Sequence, residues 1–166
     1  MNGRRLDAES WRDAMLVVTD TLDRTAGGAP LPQGDLTNRR RTLYGTVKRR
    51  ELNDFLRLHD FPDPTTHSPQ RLPTITPLQQ LFTLNSPFVL QQSKAFVQRL
   101  QKETPDTAGR VRLAFSLAYG RDATDNQVEA CIAFLMAGTP NGPIADTTWL
   151  QFAQAILGSN EFQFVD

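Results

Sequence analysis

Apolar side chains recur at the spacing of amphipathic helices along most of the 166-residue chain. Asp7 can cap a first helix, and Thr76 and Thr124 each open a capping box with a glutamine three residues later. A last helix is expected around Trp149, after a turn at residues 140–143. The apolar positions of the first helix are Trp11, Ala14, Met15, Val18 and Leu22. These patterns predict a mainly α protein, a helical bundle of about six helices.

The helix that begins after Thr76 carries apolar residues at adjacent positions and one turn apart. Helical neighbours three and four residues apart share a face, so Leu78, Leu81 and Phe82 are expected to form its buried side.

One short segment has the composition of a β-strand. Residues 42–47 combine branched and aromatic side chains, and basic runs flank them on both sides. A lone strand needs a partner, so we expect this β-like segment to pair with another chain or with a region outside these residues.

Glycine, proline and charge divide the chain into two parts. Residues 1–75 contain most of the irregular segments, and residues 1–50 carry ten basic and six acidic side chains. Residues 76–166 contain the regular helical patterns. We therefore expect a loop-rich basic part at 1–75 and a compact helical bundle at 76–166, forming one domain or the C-terminal fragment of a larger protein.

Composition excludes several kinds of site. The chain has one cysteine and two histidines, so neither an internal disulfide nor a zinc site built from several cysteines is possible. The chain has 18 basic and 18 acidic side chains, so its net charge is zero. A polyanion such as a nucleic acid is therefore not attracted by the overall charge of the protein. No apolar run is long enough for a membrane helix.

Carboxylates and imidazoles cluster on one proline-rich segment. Such groups on a stiff loop could hold a cation or line a catalytic pocket. The alternative is that the carboxylates accept hydrogen bonds within proline turns, that the first histidine completes an apolar helix face, and that the arginine neutralises one of the aspartates. The candidate residues are His59, Asp60, Asp63, His67 and Arg71.

Two basic runs could track a nucleic-acid backbone, with Tyr44 between them available for stacking. Pairing with acidic groups elsewhere in the protein explains the same runs, and the zero net charge favours that explanation. This basic patch consists of Arg39, Arg40, Arg41, Lys48, Arg49 and Arg50.

Several ordered blocks along nearly the whole chain resemble the C-terminal domain, of unknown function, of planctomycete surface and cytochrome c-type multidomain proteins. The strongest blocks are residues 74–81, residues 84–89, Gly120-Arg121 with Thr124, and residues 159–162. Ala123 and Gln127 depart from the family pattern at a helix start, where proline and glutamate are usual. The resemblance implies a parent protein at the cell surface or in the periplasm, with N-terminal regions that this chain lacks.

The resemblance and the residue patterns together favour a non-catalytic helical module that completes the N-terminal region of such a protein, or that pairs with a second copy. One alternative is part of an enzyme acting on envelope or environmental polysaccharide through the polar cluster, and another is nucleic-acid binding. Neither cofactor nor metal is expected, because Cys-x-x-Cys-His is absent and any haem would bind an N-terminal region.

Overall fold

The computed structural model describes residues 3–137 and 142–165. Within these ranges six helices have nine residues or more, and one two-stranded antiparallel sheet is present. The elements in chain order are β1 (Arg4–Arg5), α1 (Ala8–Val18), α2 (Asp54–Leu58), α3 (Pro77–Asn85), α4 (Pro87–Glu103), α5 (Thr107–Tyr119), α6 (Asp125–Met136), α7 (Asp146–Gly158), α8 (Asn160–Gln163) and β2 (Phe164–Val165). The predicted mainly α fold class is confirmed, whereas the predicted turn at 140–143 begins outside the described residues.

The centre of the bundle is the contact between α4 and α7, the most extensive in the fold. Phe96 and Leu100 of α4 and Leu157 of α7 have no solvent exposure. Helices α5 and α6 pack beside them, and α1 lies against α4. Trp11 and Met15 of α1 belong to the same cluster of buried apolar side chains, so this core draws on residues before and after position 76.

The first helix ends earlier than its apolar pattern suggests. It stops at Val18, and Leu22 lies beyond it. The Thr19 hydroxyl donates to the Met15 carbonyl and contacts the Gln92 side-chain oxygen at 2.8 Å, while Asp20 adopts a positive φ of 56°. The left-handed residue turns the chain away from the helix axis before the glycine pair further on is reached.

The segment at 42–47 does not form the extended strand that its composition favours. Thr42–Tyr44 is a 3-10 turn, and directly after it an isolated bridge pairs Gly45 with Leu31. The partner is therefore within the chain. The sheet of this protein instead joins β1 to β2, near the two ends of the described residues.

Two side chains of α1 explain why the loop takes this shape. The guanidinium of Arg12, which is 2% exposed, donates to the Asn38 and Arg40 carbonyls, and the Asp13 carboxylate accepts from the Thr42 N–H and hydroxyl at 2.7 and 2.6 Å. In a β-strand these backbone groups would hydrogen-bond to a neighbouring strand. Here they hydrogen-bond to side chains of α1 instead. These hydrogen bonds hold the loop at residues 38–42 against α1.

Candidate functional site

The orientation of α3 is the reverse of the one predicted. Leu78 and Leu81 were expected to be buried, but they are 64% and 53% exposed. Gln79 and Thr83 face the interior instead, with 1% and 4% exposure. Phe82 does pack against the core, as expected. The helix therefore presents polar side chains to the protein and leucines to solvent.

Gln79 explains this orientation because every polar atom of its buried side chain has a partner. Its Oε1 accepts from the Thr76 N–H at 3.0 Å and from the Arg5 guanidinium at 2.7 Å. Its Nε2 donates to the Leu58 carbonyl at 2.9 Å and lies 3.3 Å from the Asp60 carboxylate. A fully paired amide can be buried at little cost, whereas a leucine here would leave these groups unsatisfied.

The segment leading into α3 is held by the same network. The Asp60 carboxylate accepts from the N–H and the hydroxyl of Thr74 at 2.8 and 2.7 Å, and Arg5 donates to the Thr74 carbonyl at 2.7 Å. Asp60 itself has a positive φ of 59°, which directs the chain away from α2. Residues from three separated parts of the chain thus fix the position of α3 and of the residues before it.

Above this network, five aliphatic side chains at intervals of three residues are exposed. We call them the leucine stripe: Leu72 at 74%, Ile75 at 70%, Leu78 at 64%, Leu81 at 53% and Leu84 at 59%. The last three occupy successive turns of α3, where side chains three apart are neighbours. Scattered exposed leucines are ordinary, but three neighbouring ones on one helix, with two more aliphatic side chains in the segment before it, are typical of an interaction surface.

The predicted polar cluster does not converge on one site. His59 is 7% exposed and lies among the rings of Trp11, Phe55 and Phe82, with centroid distances of 5.1, 4.9 and 5.1 Å. Its Nδ1 lies 2.8 Å from the Phe55 carbonyl oxygen. Burial lowers the pKa of this imidazole. His59 is thus placed in the core beneath α3.

The remaining cluster residues lie at or near the surface. Asp63 accepts from the N–H and hydroxyl of Thr65 at 2.8 and 2.6 Å, and these hydrogen bonds lower its pKa. Arg71 forms two 2.8 Å hydrogen bonds to the Glu9 carboxylate, rather than neutralising an aspartate of the cluster as expected, and these bonds raise its pKa. His67 is exposed. Among the described residues, no group of three or more potential metal-binding side chains comes together.

The predicted basic patch is divided between internal contacts and solvent. The guanidinium of Arg40 donates to backbone carbonyls of the preceding loop. Arg41 lies 3.5 Å from the Asp13 carboxylate, and Lys48 lies 3.5 Å from Glu51. Arg40 is half-buried, whereas Arg39, Arg41, Lys48, Arg49 and Arg50 are exposed.

An open groove of about 1150 Å³ runs beside this loop. Its lining includes cations such as Arg49 and Arg50 together with the carboxylates of Glu51, Asp54 and Asp63. Both signs of charge are therefore present along one groove, which gives an anionic ligand little selective attraction.

Sequence reasoning missed the two features that organise this region, which are the arginines that hydrogen-bond within the protein and the outward leucines. Arg5 and Arg12 stand at positions where a surface role is the usual expectation for arginine. The sequence shows the three-residue repeat of the leucine stripe, but it does not show whether these side chains face the core or the solvent.

None of the helices in the described residues has both the length and the apolar character needed to cross a bilayer.

Comparisons with known proteins give one family. Residues 1–135 match the family model described as "Protein of unknown function (DUF1553)". Neither a curated protein nor a solved structure matches the chain. Since the family model spans most of the 166 residues, the chain belongs to the DUF1553 family of proteins of unknown function.

Proposed function

We propose that this chain is a non-catalytic helical module that docks another polypeptide on its leucine stripe. The docked polypeptide is a region of a larger exported or cell-envelope protein of the planctomycete type, or a second copy of the module. The observation that carries the proposal is the reversed orientation of α3, which leaves Leu78 and Leu81 in solvent.

The energetics of the stripe support a docking role. Covering an exposed leucine stabilises a complex by up to about 1.5–3 kcal/mol, so five such side chains can drive association even after its entropic cost. The buried contacts of Gln79 hold α3 in one orientation, so the surface is formed before the partner arrives. A preformed surface avoids the ordering cost of a flexible one.

The polar residues considered for catalysis give less support to an enzyme. Asp60 is engaged by Thr74, Arg71 is engaged by Glu9, and His59 is enclosed by aromatic rings. Each of these groups has a structural partner. The contacts therefore favour the docking role.

The test is binding between this chain and the N-terminal region of the proposed larger protein, expressed separately and titrated calorimetrically. We expect Leu78→Gln combined with Leu81→Gln to weaken binding by at least about tenfold, because central apolar contacts dominate interface energy. Leu43→Gln is the matched control, since Leu43 is 61% exposed and lies outside the stripe. Binding that survives the double substitution contradicts the proposal.

A further inference from the structure

We infer that in the isolated chain the leucine stripe is occupied by a second copy, through antiparallel packing of α3 on α3 across a two-fold axis. The inference rests on the proposed function, because it takes the stripe to be a docking surface, and it specifies the occupant. Three properties of the surface support it: its charge, its symmetry and its size.

The stretch that carries the leucine stripe contains no charged residue that would oppose self-association. No Asp, Glu, Lys or Arg occurs between Arg71 and Lys94, a stretch that contains the whole stripe and the start of α4. Two copies can approach along this surface without like-charge repulsion. A charged partner would find no group of opposite charge in this stretch. A second copy presents the same uncharged side chains and can pack its leucines against them.

The spacing of the leucines suits a two-fold interface. An isologous contact places the same residues on both sides of the axis. With the axis at Leu81, the antiparallel arrangement sets Leu78 opposite Leu84 of the second copy, and Leu84 opposite its Leu78. The three leucines lie on consecutive turns of α3, so all three pairs form in one contact. Antiparallel helices also align their dipoles favourably.

The size of the stripe indicates a weak dimer. Only the three leucines of α3 pair across the axis, and ordinary monomers already carry apolar patches of ~300–600 Å². Stable complexes bury ~800 Å² on each partner. We therefore expect a dissociation constant on the order of 10–100 µM, so that dimers prevail only at high protein concentration.

Sedimentation equilibrium of residues 1–166 across ~5–500 µM tests the inference. The wild-type chain and the Leu43→Gln control should shift from monomer to dimer over this range. Leu81→Gln, placed at the two-fold axis, should raise the dissociation constant by at least about tenfold. A wild-type chain that stays monomeric at the highest concentration overturns the inference, as does a dimer that Leu81→Gln leaves unchanged.

Cross-linking tests the symmetry separately. Cys131 is the chain's single cysteine, so Cys131→Ser gives a cysteine-free background. In that background Leu81→Cys should form an intermolecular disulfide on mild oxidation, because the two residues 81 meet at the axis. Leu43→Cys is equally accessible and should form much less. Equal yields from the two variants overturn the two-fold arrangement.

These measurements also separate the inference from the proposed function. A monomeric chain that binds the N-terminal region of the proposed larger protein through Leu78 and Leu81 refutes the second copy as occupant and leaves the docking role intact. A chain that neither dimerises nor binds that region refutes both.

Discussion

At the scale of single residues, His59 and His67 are the two histidines of the chain and occupy opposite environments. His59 is enclosed by Trp11, Phe55 and Phe82, whereas His67 is exposed. One interpretation of the sequence places His59 on the apolar face of its helix, and the structure buries it directly after α2, at the C-cap. The Nε2 atom of His59 is buried without a hydrogen-bond partner in the described structure, so a proton on it would be poorly stabilised.

We predict that acid destabilises the protein through His59. Burial holds its folded-state pKa below the ordinary value of 6.5. As pH falls through about 6.5, His59 therefore becomes protonated in the unfolded chain while it stays neutral in the folded chain. The stabilising contribution is complete above pH 6.5 and is lost progressively between that value and the lower folded-state pKa. Urea unfolding at pH 7.5 and 5.5 should show a smaller free energy of unfolding at the lower pH.

The substitution His59→Gln, which cannot titrate, should remove most of this difference between the two pH values. His67→Gln is the matched control and should keep the wild-type difference, because the side chain is exposed. If the two variants show the same pH dependence, His59 is not the group responsible.

At the scale of the element, α3 shows how a polar residue can decide which face of a helix is buried. The helix has apolar side chains on more than one side, so its periodicity alone allowed Leu78 and Leu81 to face the core. Gln79 changes the balance, because Arg5, Leu58 and the Thr76 N–H offer it a complete set of partners.

We predict that Gln79→Leu lowers the free energy of unfolding by about 2–4 kcal/mol, because it leaves a guanidinium, a carbonyl and an N–H without their partner in a buried place. Gln80→Leu is the neighbouring control, since Gln80 is exposed, and should change stability by no more than about 0.5 kcal/mol. Chemical denaturation at pH 7.5 measures both. Equal effects of the two substitutions would show that the Gln79 network does not hold α3.

At the scale of the whole molecule, the first and last parts of the chain share one core. Trp11 and Met15 of α1 are 3% and 0% exposed and belong to the same cluster as Phe96. The strand pair β1 and β2 adds a second link, which the bond from the Leu6 N–H to the Gln163 carbonyl extends. The division at residue 76 that composition suggested stays a prediction, and these shared contacts define how to test it.

We predict that residues 76–166 alone do not unfold cooperatively. Each buried apolar side chain contributes about 1.5–3 kcal/mol, and the loss of those supplied by α1 and α2 approaches the ~5–15 kcal/mol stability of a whole domain. The fragment should keep far-UV helicity but lose its near-UV signal and sharp urea transition, compared with residues 1–166. A fragment with the transition midpoint of the full chain would show that the helical bundle is self-sufficient.

The sequence by itself determined the helices, because capping residues and apolar periodicity are local properties. Thr76 and Thr124 form the capping boxes read from their spacing, and Asp7 caps α1. The same patterns determined the mainly α fold class. They also located the polar cluster and the basic runs, although not what those residues contact.

Only the tertiary structure decided the direction of α3, the shape of the loop at 42–47 and the partners of Arg5 and Arg12. Each depends on groups far apart in sequence: Gln79 is buried because Arg5 reaches it, and Thr42 forms a turn because Asp13 accepts its N–H. A periodic pattern shows which residues share a face of a helix. Which face is buried depends on the hydrogen-bond partners and apolar surfaces that the rest of the chain supplies, and these exist only once the chain has folded.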